Sequence, residues 1–178
     1  MTVWFLRHGQ SQANLENRFA GRRDDSPLTE LGRRQALVAA AALPTRIRWI
    51  VSSPLRRAVE TAELIRRELG IENEVEIDER LAGHDMGDAT GIPKRTLSAR
   101  EMVELYGAED PDAFGVRVFA ALGDLSPRPT DGLVVSHSGV ARLILARRSG
   151  LGPADFREAG TLANGELMEL GCAGSGKR

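Results

Sequence analysis

The sequence has a single cysteine, Cys172. It therefore forms no internal disulfide and fits a reducing compartment. No apolar run is long enough to span a membrane. The apolar start meets Arg7 at once and is too short for a signal peptide, so the expected location is cytoplasmic. Net charge is −1 over 178 residues, which leaves no global field to draw the chain to nucleic acid or to an anionic membrane. Any attraction for anions must be local. There are no internal repeats and no low-complexity tract. No cluster of His, Cys, Asp and Glu has ligand spacing, so neither a metal nor another cofactor is expected.

What is present is an ordinary globular balance, 42% hydrophobic and 28% charged, at a length that suits one domain spanning residues 1–178. No exposed apolar stripe is legible, so oligomeric state stays open. Val3-Trp4-Phe5-Leu6 reads as a buried strand that stops at Arg7-His8-Gly9. Arg48 to Ser52 reads as a second strand and Glu74 to Asp78 as a short third. Gly132 to Ser136 is the next, ending at His137-Ser138-Gly139. Between them lie helical stretches. Leu31 to Leu43 follows a Thr29 cap. The next is capped by Ser53 with Pro54 first, and has apolar spacing from Leu55 to Leu69. Further helices are expected over Leu97 to Tyr106, from Asp110-Pro111 to about Leu122, and over Val140 to Ser149. Asn164-Gly165 between Thr161-Leu162-Ala163 and Glu166 to Leu170 signals a hairpin. The tail from Gly171 is small and polar, and disorder is expected there. Strands alternating with helices predict an α/β fold: a mostly parallel sheet with helices on both faces and an antiparallel edge hairpin.

In such a sheet, ligands sit beyond the carboxyl ends of the strands. Three strand ends carry polar chemistry: Arg7-His8, the Arg56-Arg57 segment, and Ser136-His137. A rim with two histidines and at least two arginines repels itself unless an anion fills it. Phosphate suits the planar guanidinium fork. Helical periodicity does not choose between Arg56 and Arg57, and Arg56 can pair with Glu60 at i,i+4. Gly9 lets the chain turn sharply and approach a ligand closely.

These residues sit in longer blocks. R-H-G-Q-S-Q-A-N, R-F-A-G-R-R-D-D-S-P-L-T-E-L-G-R-R-Q-A, S-S-P-L-R-R-A-V-E-T-A and V-V-S-H-S-G-V-A-R follow one another, with L-A-N-G-E-L closing the set. In that order they resemble the histidine phosphatase superfamily, the phosphoglycerate-mutase-like group, from Thr2 to about Leu170. The resemblance implies that neutral His8 attacks phosphorus and forms a phosphohistidine. It implies that Arg7, Arg57 and His137 hold the phosphoryl oxygens. Asn14 and Ser138 would add phosphate contacts, and Ser11 could do the same. Water then releases phosphate from a small phosphorylated substrate. Mutases of the family are longer, with a larger insertion and an enclosing tail, so a phosphatase is expected.

One departure bears on chemistry. The family's acid, in a block like R-L-x-E-x-x-x-G-x-x-x-G, falls here on Gly83 of Arg80-Leu81-Ala82-Gly83-His84-Asp85. Three readings follow. Asp85 substitutes, since i+2 of an extended segment points to the same side. His84 is protonatable but points away on that argument. Or no acid exists, and the leaving group departs unaided, as a phosphoramidate or acyl phosphate does. Asp85 is preferred. Arg22 and Arg23 are candidates for a second anionic group on the substrate. Two further readings remain: a binding module that keeps the pocket without turnover, and a Ser-His hydrolase using Ser136 or Ser138, which lacks a G-x-S-x-G elbow.

Overall fold

The apolar start of the chain forms β1 (Val3–Arg7), and the sheet is registered against it. A computed structural model describes residues 2–125 and 128–170. The elements after β1 are α1 (Gln12–Leu15), α2 (Glu30–Ala42), β2 (Trp49–Ser52), α3 (Arg56–Glu68) and β3 (Glu76–Ile77). Then come α4 (Ala99–Tyr106), α5 (Pro111–Leu125), β4 (Gly132–Ser136), α6 (Ser138–Arg148) and β5 (Leu167–Glu169). Short 3₁₀ turns lie at Glu79–Leu81, Gly87–Ala89 and Pro153–Asp155. The expected tail disorder from Gly171, and Cys172 with it, lie outside the described residues.

The five strands make one sheet in the order β3-β2-β4-β1-β5. β1, β4, β2 and β3 are parallel neighbours, while β5 runs antiparallel to β1. This is the mixed, mostly parallel α/β arrangement that the alternation of strands and helices predicts. Successive residues of a strand face opposite sides. Leu6, Ile50, Leu133 and Val135 pack against Ala36 and Ala40 of α2 and Ala58, Ala62 and Ile65 of α3. Phe5, Val51 and Val134 pack against Phe114 and Val118 of α5 and Val140 and Leu143 of α6. Both faces are thus covered, which is why these strands read as continuous apolar runs.

Two local expectations are corrected. The antiparallel edge strand exists, but its partner is β1, and residues 161–163 are not a strand. The Asn164-Gly165 turn forms, with Gly165 at φ +77°, yet its backbone N–H donates to the Arg7 carbonyl at 3.0 Å. It folds onto the end of β1 and does not close a local hairpin. Ser53 does not cap α3, which begins three residues later behind Leu55 with no side-chain cap. Its hydroxyl is engaged by a histidine across the rim.

The strand order creates the crevice that the site occupies. β1 and β4 are adjacent and parallel, but their connections leave in opposite directions. β1 runs on to α2 and α3 on one face, and β4 to α6 on the other. The gap beyond their carboxyl ends is a topological switch point, where open α/β sheets bind ligands.

The turn after β1 is held by close backbone packing. A Cβ at Gly9 would collide with the Gly32 carbonyl oxygen, and one at Gly32 with the carbonyl oxygen of Gln10. The close approach made by Gly9 is therefore to the first turn of α2. Thr29 caps that turn, accepting from the Gly32 N–H at 3.1 Å. Gly32→Ala forces backbone apart in a packed region and is expected to cost about 1–3 kcal/mol. Val38→Ala, at a side chain exposed on the same helix, should stay within about 0.5 kcal/mol of wild type. Urea unfolding midpoints of the two variants check both.

Candidate active site

β1 delivers Arg7 and His8 to the crevice, β4 delivers His137, and α3 delivers Arg57. A cavity of about 340 Å³ lies between them. Arg7, His8, Asn14, Arg57, His137 and Ser138 all line it, so sequence segments far apart meet as expected. The structure also separates Arg56 from Arg57. Arg57 is 3% exposed and faces the cavity, whereas Arg56 is exposed and pairs with Glu60 at 2.7 Å.

The hydrogen bonds of the arginines leave their charge available. Arg7 Nη1 donates to the Leu162 carbonyl at 2.6 Å, and its buried Nε has no protein partner. Arg57 donates to the carbonyls of Asp24 and Gly21 at 2.7 and 2.9 Å. Carbonyls fix the guanidinium planes without neutralising them. Burial lowers both groups to about 10, so both stay cationic at neutral pH.

The imidazoles sit between these cations. The His8 and His137 ring centroids are 5.0 Å apart. Burial first, then the Arg57 guanidinium, holds each of them well below the ordinary imidazole range. Both rings are neutral at pH 7. His8 Nδ1 lies 2.7 Å from the Gly9 carbonyl oxygen, which only accepts. The proton must be on Nδ1, and Nε2 keeps its lone pair. His137 Nε2 lies 2.7 Å from Ser53 Oγ, which accepts from the Leu55 N–H. A serine oxygen donates to a bare ring nitrogen or accepts from a protonated one, so this contact holds the ring under either tautomer. Nδ1 of His137 is buried with no protein partner.

Asn14 Oδ1 is saturated by Ser11 and by Asn164 Nδ2, the latter at 3.0 Å. The Asn14 amide nitrogen is the group left for the cavity. Ser11 is fully buried, caps α1 and does not line the cavity. Asn164 also donates to the His8 carbonyl at 3.0 Å. Along the chain it is legible only as a turn residue, because a side chain that organises a strand end 156 positions away leaves no local signal.

Several expectations are corrected here. Asp85 does not line the cavity. Its carboxylate accepts from the Gly87 N–H at 2.9 Å and lies 3.4 Å from Arg23 Nε. The i+2 argument needs an extended chain, but the segment turns into the 3₁₀ helix at Gly87–Ala89. His84, expected to point away, lines the cavity wall and is 1% exposed, between Phe114 and Phe156. Arg22 and Arg23 are not cavity residues. Arg23 faces Asp85 and Asp88. Ser136 is buried and donates to the Leu81 carbonyl at 2.7 Å, which removes it as a nucleophile. The cations that do line the cavity were missed: Lys94, Arg95, Arg142 and Arg157. No aspartate or glutamate lines it among the described residues.

Fold and site together define an α/β protein with a neutral histidine set inside a cationic anion pocket. A family model described as the histidine phosphatase superfamily (branch 1) matches residues 3–178, and the chain belongs to that superfamily. It is 30% identical to a protein of Salmonella paratyphi A named probable phosphoglycerate mutase GpmB, over 95% of this chain and 91% of that one. Among solved structures it is similar to a mycobacterial glucosyl-3-phosphoglycerate phosphatase complexed with VO3. That match has a TM-score of 0.76 and 26% identity, over 94% and 91% of the two chains. A putative alpha-ribazole-5'-P phosphatase of Escherichia coli gives TM-score 0.77 and 26% identity, over 95% and 89%.

The buried imidazoles carry a stability signature. Unfolded, His8 and His137 titrate near their ordinary value of 6.5; folded, they titrate well below it. As pH falls past 6.5 the unfolded chain takes up protons first, so stability is expected to decline with acidification. Saturating inorganic phosphate favours charged imidazoles and should move that decline to lower pH. Urea midpoints between about pH 5 and 8, with and without phosphate, measure both effects.

Proposed function

We propose that the protein is a phosphatase that hydrolyses a small phosphorylated substrate through a phosphohistidine on His8. The observation that carries this reading is the His8 tautomer. Its Nδ1–H is committed to the Gly9 carbonyl, so the ring presents an unprotonated Nε2 among cations. A neutral ring attacks phosphorus, Arg7 and Arg57 neutralise charge on the phosphoryl oxygens, and His137 sits beside them. Splitting transfer into two displacements lets water replace the leaving group.

Hydrolysis is favoured over transfer to a second substrate position because the cavity is open. Lys94, Arg95, Thr96 and Thr161 line it and are exposed, so water reaches the intermediate. One observation favours a second reading. Among the described residues no carboxylate lines the cavity to protonate a leaving group, as suits a module that binds phosphorylated ligands without turnover.

Rapid-quench labelling separates the two. Wild type should take radioactive phosphorus from an aryl phosphate onto His8 and lose it in buffer. His8→Ala should take none and lose turnover by roughly 10⁴-fold or more. Tight phosphate binding without labelling would leave the binding module. Arg57→Ala removes oxyanion donors and should lower kcat by about 10²–10³-fold, read by steady-state kinetics.

A further inference from the structure

An alkoxide leaving group needs a proton, and the position expected to supply it is Gly83. A Cβ there would lie 3.3 Å from the His137 ring, so the space beside the histidines is left by a glycine. The other proton-bearing groups lining the cavity are already engaged or too weakly acidic. His8 holds its one hydrogen on the Gly9 carbonyl. His84 donates from Nε2 to the Glu109 carbonyl at 2.8 Å, and burial keeps its ring neutral at pH 7. His137 is neutral for the same reason. Arg7 and Arg57 are held by main-chain carbonyls as phosphate-facing cations, and an arginine is a poor general acid because its charge is delocalised over the whole guanidinium. Ser138, Thr96, Thr161 and the Asn14 amide are weaker acids still.

Lys94 remains. Its segment is pinned to the mouth of the cavity by backbone pairing. Lys94 N–H donates to the Asn17 carbonyl at 2.8 Å, and Phe19 N–H to the Ile92 carbonyl at 2.9 Å. Arg18 and Pro93 form an antiparallel bridge between the same two stretches. No carboxylate among the described residues pairs with the ammonium. Lys94 lines the same cavity as Arg7, His8 and Arg57, so the four groups surround one space.

We propose that Lys94 is the proton donor to the leaving-group oxygen, a role that rests on the phosphatase reading. His8 Nε2 forms a bond to phosphorus as the bond to the leaving oxygen breaks. The bonding pair stays on that oxygen, which takes a proton from Lys94 Nζ and departs as a neutral alcohol. The resulting amine then accepts a proton from the attacking water. Phosphate leaves, His8 Nε2 recovers its lone pair, and Lys94 is an ammonium again. Partial desolvation and the two guanidinium neighbours lower the lysine from its usual value, toward the range in which proton transfer is efficient.

A leaving-group series tests this. Phosphate monoesters running from dinitrophenyl through phenyl to alkyl are compared on wild type, Lys94→Met and Lys94→Arg, with His8 labelling followed in parallel. Lys94→Met should lose ~10²–10⁴-fold in kcat/KM on alkyl esters, the loss shrinking as the leaving group becomes more acidic. Lys94→Arg keeps the charge but should show the same slope. An equal loss across the series, or recovery by arginine, would make Lys94 a phosphate clamp and overturn the proposal. So would wild type that turns over aryl but no alkyl esters. Labelling of His8 in those cases leaves the phosphatase reading standing; no label on wild type removes both.

Discussion

Positive charge gathered around a cavity that no carboxylate lines among the described residues is the constraint the molecule is built around. Arg57 is buried and Arg7 half-buried, and desolvation depresses both. Their hydrogen bonds go to main-chain carbonyls of residues 21, 24 and 162, which orient them at no cost in charge. A guanidinium held this way is costly in the empty protein and is compensated when a tetrahedral anion arrives. The imidazoles answer to the same field. Between cations and out of water they stay neutral, the state in which a ring nitrogen is a nucleophile.

The scaffold keeps that arrangement from relaxing. β1 and β4 are locked in parallel register from Val3 opposite Gly132 to Arg7 opposite Ser136. His8 N–H continues the ladder to the Ser136 carbonyl at 2.9 Å. The two histidines thus leave adjacent strands at the same height. Contact between Gly9 and Gly32 then seats the first turn of α2 beside His8, and Gly9 N–H donates to Thr61 Oγ1 of α3 at 3.1 Å. Asn164, returning from the far end of the chain, ties the His8 carbonyl to Asn14. The phosphoryl-facing groups are on rigid elements. The cations at the mouth, Lys94 and Arg95, are on a loop, where differences in substrate are ordinarily written.

That division suits the similarities found. The matched family model covers the strands and the site, and the similar proteins carry names for different phosphorylated compounds. Proteins of one fold differ in what they act on because function is set by the site more than by the fold.

The sequence alone determined the four parallel strands, the longer helices, and Arg7, His8 and His137 at the strand ends beside the cavity. Its apolar runs, the Thr29 cap and the polar strand ends are local signals, legible because each follows from a few consecutive residues. What only the tertiary structure decided depends on residues distant in the chain. Arg57 and not Arg56 turns inward because Ala58, Ala62 and Ile65 seat α3 on the sheet in one rotation. Asp85 is turned away and Ser53 is taken from its helix because a 3₁₀ turn and a histidine 84 residues on set their partners. Side-chain partners across a fold carry no periodicity, so no reading along one chain reveals them.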